Sequence, residues 1–138
     1  MVDIKRYGRG LSEEVARVMA TAGAGREYLV CSQDWEAIHP FVGSRDVTPV
    51  FSVGSDERLA RFLSQFPEGG NTACSIHERF VDAPTAGALV ARSSLVMSWP
   101  VNTAERVEQL TALGVQGMIT DRLELITART AEAAPARV

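Results

Sequence analysis

Short apolar runs alternate with amphipathic stretches at a nearly constant interval, and this alternation limits the possible fold more than any other feature of the chain. The runs Val2 to Tyr7, Glu27 to Ser32, Pro49 to Val53, Thr72 to His77, Leu95 to Val101 and Val115 to Thr120 have the length and composition of strands. Helical patterns lie between them. In "LSEEVARVMATAG", Ser12 is placed as an N-cap, acids fill the first turn, Val15, Val18 and Met19 share a face, and Gly23 follows the end. "SDERLARFLSQF" and "NTAERVEQLTALG" repeat the scheme, the second with Thr103 as cap and Val107, Leu110 and Leu113 facing inward. "QDWEAIHPFV" and "DAPTAGALVARS" are shorter and predict one to three helical turns each, and the Ala-rich "TARTAEAAPARV" predicts a last helix fraying into a tail.

Strands separated by helices at this spacing pair in parallel as βαβ units, so the fold class is α/β. The strands are apolar on both faces, as a sheet covered by helices requires. Six such strands suit either an open doubly wound sheet or much of a TIM-type barrel, and periodicity does not separate the two. In both, ligands gather at the carboxyl ends of the strands. Those ends carry Asp3 and Lys5, Ser32, Ser52, His77, Trp99 with Asn102, and Thr120 with Asp121: a polar rim on an apolar wall.

Composition removes several classes of function. With 138 residues and 46% hydrophobic content, the chain is sized for one domain with a real core. Fourteen basic against 17 acidic residues leave a net charge of −3, without a basic run to track a phosphate backbone, so no nucleic-acid partner is expected. No apolar window approaches the ~18 residues of a membrane span, and "MVDIKRYGRG" lacks the apolar core of a signal peptide, which predicts a cytoplasmic protein without a membrane span. Cys31 and Cys74 lack C-x-x-C spacing and are expected to be buried free thiols. "GRG" at Gly8 and "GAG" at Gly23 lack the spacing of a dinucleotide fingerprint.

The segment "SWPVNTAERVEQLTALGVQGMITDRLEL" resembles the final two βα units of the glycerophosphodiester phosphodiesterase family, whose signature runs W-T-V-N, a helix, then G-V-D-G-I-I-T-D-x-P. Trp99, Val101, Asn102, Leu113, Gly114, Val115, Gly117, Ile119, Thr120 and Asp121 match in order and spacing. Upstream, "VDIK" resembles the family's E-I-K strand and "YLVCSQDWEAI" its S-F-D strand and the helix after it. The resemblance runs from about Val2 to Ile126. It implies an incomplete TIM-type (β/α) barrel of about six units over residues 1–126, with residues 127–138 as a helix end and tail.

Departures from the pattern bear on activity. The family's H-R-G strand, its E-x-D strand with two metal ligands and its H-D turn all precede E-I-K, and this chain starts there. Against an eight-stranded barrel, the six strands correspond to strands three to eight. Both family catalytic histidines therefore have no counterpart, and the chain is expected to be inactive alone. Asp3 stands where the family has Glu, Pro100 where it has Thr, and Gln116 and Leu123 where it has Asp and Pro.

Asp3 and Lys5 lie two apart and so face the same way on a strand. The resemblance implies Asp3 as a ligand to a divalent cation, Mg²⁺ or Ca²⁺, and Lys5 as the catalytic cation facing the phosphodiester. Lys5 is the chain's single lysine beside 13 arginines, which fits a specific demand for a compact ammonium. Trp99 and Asn102 are the expected substrate-binding residues: the indole offers an apolar wall with one N–H donor for the glycerol or alcohol part, although core packing explains it as well. Thr120 and Asp121 are expected to be structural, as a helix cap with a first-turn acid or as a barrel corner. His39 precedes a proline in a loop-like stretch and His77 ends a strand, neither at a family position.

Three functions remain open on these residues. One is a metal-dependent phosphodiesterase that hydrolyses glycerophosphodiesters to an alcohol and glycerol 3-phosphate, this chain carrying part of the site. The second is a non-catalytic barrel remnant serving as an assembly or ligand-binding module, and the third an unrelated doubly wound domain. In the first two, the ligand is a small phosphodiester or glycerol phosphate. An unclosed barrel exposes two strand edges, so a homo-oligomer is expected.

Overall fold

A computed structural model describes residues 1–5, 9–22, 25–70 and 72–126. Six parallel strands stand in sequence order across one sheet: β1 (Val2–Asp3), β2 (Tyr28–Ser32), β3 (Val47–Val53), β4 (Thr72–His77), β5 (Ser93–Trp99) and β6 (Gly117–Met118). Between them run α1 (Arg9–Ala22), a 3₁₀ helix (Trp35–Phe41), α2 (Asp56–Gln65), a short 3₁₀ turn (Glu78–Phe80) with α3 (Ala83–Val90), and α4 (Ala104–Ala112). A doubly wound sheet reverses its strand order at a switch point. This one never reverses, so it is a half-barrel of the incomplete TIM type.

Local chemistry explains where the helices begin and end. The side chains of Asp34, Ser55, Asp82 and Thr103 accept from the backbone N–H groups of Glu36, Arg58, Thr85 and Arg106, satisfying donors that a helix start leaves open. After α4, Gly114 turns left-handed at φ 87°, and its N–H donates to Thr111 O. Ser12 does not cap α1. The helix starts at Arg9, and Ser12 is fully buried inside it, one turn from the half-buried Val15 and Ala16. The inward stripe therefore runs through Ser12, Val15, Ala16 and Met19, while Val18 is 46% exposed. Gly23 and the expected tail helix lie outside the described residues.

The edge strands are shorter than their apolar runs. β1 pairs with β2 through Val2 and Asp3, and Ile4 N still donates to Cys31 O at 2.8 Å; Arg6 and Tyr7, the end of the expected strand, lie outside the described residues. At β6 the N–H groups of Gln116 and Ile119 donate to Val96 O and Ser98 O at 2.9 Å each, so pairing outlasts the regular strand. Gln116, a departure from the family pattern, accepts from Val96 N through Oε1 at 2.7 Å.

Alternation along each strand divides the core. The convex face carries Val53, Ile76 and Val96 against Phe62, Leu89 and Leu110 from the helices, all with no exposed surface. Burying each such side chain contributes about 1.5–3 kcal/mol. Trp35 meets Phe51 and Phe62 edge-on at 5.4 and 6.3 Å, and its indole N–H donates to Ser52 O at 3.0 Å. Under α1 and the 3₁₀ helix lies a second patch of Ile4, Val30, Ala37, Phe41 and Val47. The concave face is lined by Cys31, Val50, Ala73 and Met97. Gly117 lets Met97 lie across β6: a Cβ there would stand 2.4 Å from Met97 Cγ.

Candidate functional site

Above that apolar layer, at the carboxyl ends of the strands, a cavity of about 290 Å³ opens. It is lined by Met1, Asp3 and Lys5 in and beside β1, by Cys31 of β2 and Gln33 just after it, and by Ser52 and Ser75 from β3 and β4. Trp99 and Pro100 follow β5, and Ile119 and Asp121 follow β6. Strand alternation puts them there. Ser52 and Ser75 are register partners two residues beyond Val50 and Ala73, which are themselves paired on the concave face.

Asp3 and Lys5 form an ion pair at 2.7 Å, with side-chain exposures of 38% and 74%. A pair this exposed is worth about 0–1 kcal/mol. Lys5 can therefore exchange Asp3 for another anion at little cost. Trp99 borders the same cavity: its indole lies 3.6 Å from where a Gly54 Cβ would stand, and the His77 ring meets it edge-on at 4.8 Å. Gln33 Oε1 accepts from Arg58 Nη1 at 3.3 Å, which leaves its amide N–H₂ as a donor. Burial, aided by the Asp3 charge, pushes the Cys31 thiol up to about 12, and burial pushes Cys74 up to about 12, so both are protonated and unreactive near neutrality.

Asn102 sits apart from the cavity, beside Pro100, Thr103 and Arg106 in an adjoining surface groove. Its Oδ1 accepts from Thr120 Oγ1 and from Asp121 N, both at 3.0 Å, and its Nδ2 approaches Asp121 Oδ2 at 3.4 Å. It thus ties the end of β6 to the turn after β5. Thr120 Oγ1 accepts from Arg122 N at 3.0 Å, closing a side-chain turn just before the helical residues 123–126. Of the two structural readings of the Thr-Asp pair, these bonds favour the corner, and Asp121 also faces the cavity. His77 supports Trp99 from behind, and its Nδ1 accepts from Arg79 N at 3.2 Å. His39 is exposed on the 3₁₀ helix and does not line the cavity. Sequence reasoning missed Ser75, whose signal was alternation within β4, and Gln33, which lies one residue past the end of β2.

These residues do not make a metal centre on their own. Among the described residues no three His, Cys, Asp or Glu side chains converge to hold an ion. Mg²⁺ and Ca²⁺ want six or more oxygens, and the carboxylate of Asp3 is already engaged with Lys5.

Comparison with solved structures shows similar half-barrels, among them two phosphodiesterases. A protein of Silicibacter pomeroyi DSS-3 assigned as a glycerophosphoryl diester phosphodiesterase superposes with a TM-score of 0.65 at 16% identity, over 88% of this chain and 46% of that one. An Oleispira antarctica phosphodiesterase, solved in complex with the product sn-glycerol-3-phosphate, also gives 0.65 at 16% identity, over 96% of this chain and 55% of that one. The half-barrel shares their fold. This chain spans about half the length of each. No protein-family model and no curated protein sequence matches it. Among the described residues, no helix is long and apolar enough to cross a membrane.

Proposed function

We propose that this chain is part of a glycerophosphodiester phosphodiesterase-like site, seating a small phosphodiester or glycerol phosphate at the carboxyl ends of its strands. The observation that carries the reading is the convergence of Asp3, Lys5 and Trp99, singled out at the family's positions, on one cavity. In the reaction, water displaces an alcohol from phosphorus and leaves glycerol 3-phosphate. Lys5 offsets the phosphodiester charge as a freely oriented ammonium. Trp99 gives the alcohol or glycerol carbons an apolar wall, and Asn102 holds the neighbouring corner. The complete site of the resembling family uses a divalent cation to polarise the phosphoryl group. Here Asp3 offers it one carboxylate, so the chain alone binds such an ion weakly.

Because the described residues hold no three-ligand metal group, the reading extends to a second form, a ligand-binding or assembly module without turnover. Glycerophosphocholine hydrolysis with Mg²⁺ or Ca²⁺ separates the two. The chain alone is expected to stay well below the ~1 s⁻¹ of an ordinary enzyme. Faster turnover abolished by Asp3→Ala would show that it carries a working site.

A further inference from the structure

A parallel barrel wall is covered on its outside by a helix after each strand, and the connection from β2 to β3 supplies only the 3₁₀ helix Trp35–Phe41. The cover of β3 is incomplete as a result. Val47 belongs to the apolar patch with Phe41, and Val53 to the core with Phe62 of α2. Pro49 and Phe51, between them on the same face, are only partly buried. A groove of about 460 Å³ opens there, towards the amino ends of the strands. One side is Phe66, the residue that closes α2, with its ring 4.8 Å from that of Phe51. The other is the turn after the 3₁₀ helix, where Val42 is 57% exposed. Arg45 stands on the same rim, and its guanidinium has no ion pair or hydrogen bond among the described residues. None of the residues lining the groove is acidic. An inorganic anion would satisfy Arg45 and leave the aromatic floor in water, and a neutral apolar molecule would cover the floor and leave the guanidinium unpaired. A carboxylate on an apolar chain does both, since the guanidinium fork matches a carboxylate with two parallel hydrogen bonds while the methylenes leave water against the rings.

We propose that this outer groove, at the end of the sheet opposite the Asp3–Lys5 cavity, binds an amphipathic anion of the medium-chain fatty-acid type, with its carboxylate on Arg45 and its chain across Phe51 and Phe66. The groove and the cavity share no lining residue, so the inference stands apart from the phosphodiester reading. Each place has its own tryptophan as a reporter. Trp35 meets Phe51 edge-on at 5.4 Å and lies 6.3 Å from Phe66, whereas Trp99 lines the cavity.

The test titrates octanoate, acetate and octan-1-ol into the chain and follows amide and indole N–H chemical shifts. Octanoate is expected to move the signals of Val42, Arg45 and the Trp35 indole and to leave the Trp99 indole in place. It should bind about tenfold more tightly than acetate, which lacks the chain, and than octan-1-ol, which lacks the charge; one charge-assisted hydrogen-bonded pair or a few buried methylenes are worth that much. Arg45→Ala should bring octanoate down to the level of octan-1-ol, whose own binding stays the same. Val42→Ser should weaken octanoate and octan-1-ol alike and leave acetate unchanged. Both residues are exposed, so neither substitution disturbs the core. Equal binding of octanoate and octan-1-ol, unaltered in Arg45→Ala, would make the groove an unselective apolar surface and overturn the inference. Shifts centred on Lys5 and Trp99 would also overturn it, as would the absence of any shift with octanoate.

Discussion

The two buried thiols show how a side chain's place in the barrel sets its chemistry. Cys31 faces the concave side and Cys74 the convex side, and burial pushes both up to about 12 from an ordinary value near 9. Between those values the unfolded chain loses thiol protons that the folded chain keeps, so stability is full below about pH 9 and falls as pH rises towards about 12. The slope is about 1.4 kcal/mol per pH unit for each thiol. Urea unfolding between pH 8 and 11 should therefore weaken more steeply for the native chain than for the Cys31→Ala/Cys74→Ala double variant. Parallel slopes would mean that the thiols ionise equally in both states. Burial of these two residues was legible from their strand-like surroundings alone. The pairing of Asp3 with Lys5 was not: spacing put both on one face, but which partner each takes depends on the rest of the cavity.

Among the elements, the turn after β6 is where sequence and structure inform each other most. The glycine ending α4 read correctly, because a left-handed turn demands a particular residue type; the strand is shorter than its apolar run, and Asp121 of the Thr-Asp pair, read as structural, also lines the cavity. Asn102 belongs to the same corner. Its part was hidden because it accepts hydrogen bonds from residues 18 and 19 positions further on. Likewise, Ser12 looked like a cap because capping chemistry is local, while its burial in α1 is decided by the sheet beneath. Asn102→Ala removes the acceptor shared by Thr120 and Asp121 and is expected to cost about 1 kcal/mol per lost bond. Amide hydrogen exchange should accelerate at Asp121 and Ile119 and remain unchanged in β3. Uniform acceleration across the sheet would show that Asn102 supports the whole fold and not the corner.

For the whole molecule, the order of the six strands decides the architecture. Parallel α/β winding follows from the alternation of runs, but the choice between barrel and doubly wound sheet depends on which strands become neighbours. Periodicity carries no such information; the match of Trp99 to Asp121 with a known barrel ending does. Among the described residues the sheet ends at β1 and β6, each pairing regularly over two residues, and unpaired edges are templates for another chain. Sedimentation at micromolar concentration is expected to give at least twice the 14.9 kDa of one chain. A stable monomer would mean that the shortness of the edge strands is itself sufficient protection.

The most direct test of the account is a titration with glycerol 3-phosphate followed by amide chemical shifts. Binding near millimolar, about 4 kcal/mol, should move the signals of Lys5, Trp99 and Asn102 together, vanish in Lys5→Ala and survive His39→Ala. Shifts confined to other parts of the sheet, or none at all, would contradict a phosphate-ester site in this cavity and leave only the fold in common with the phosphodiesterases.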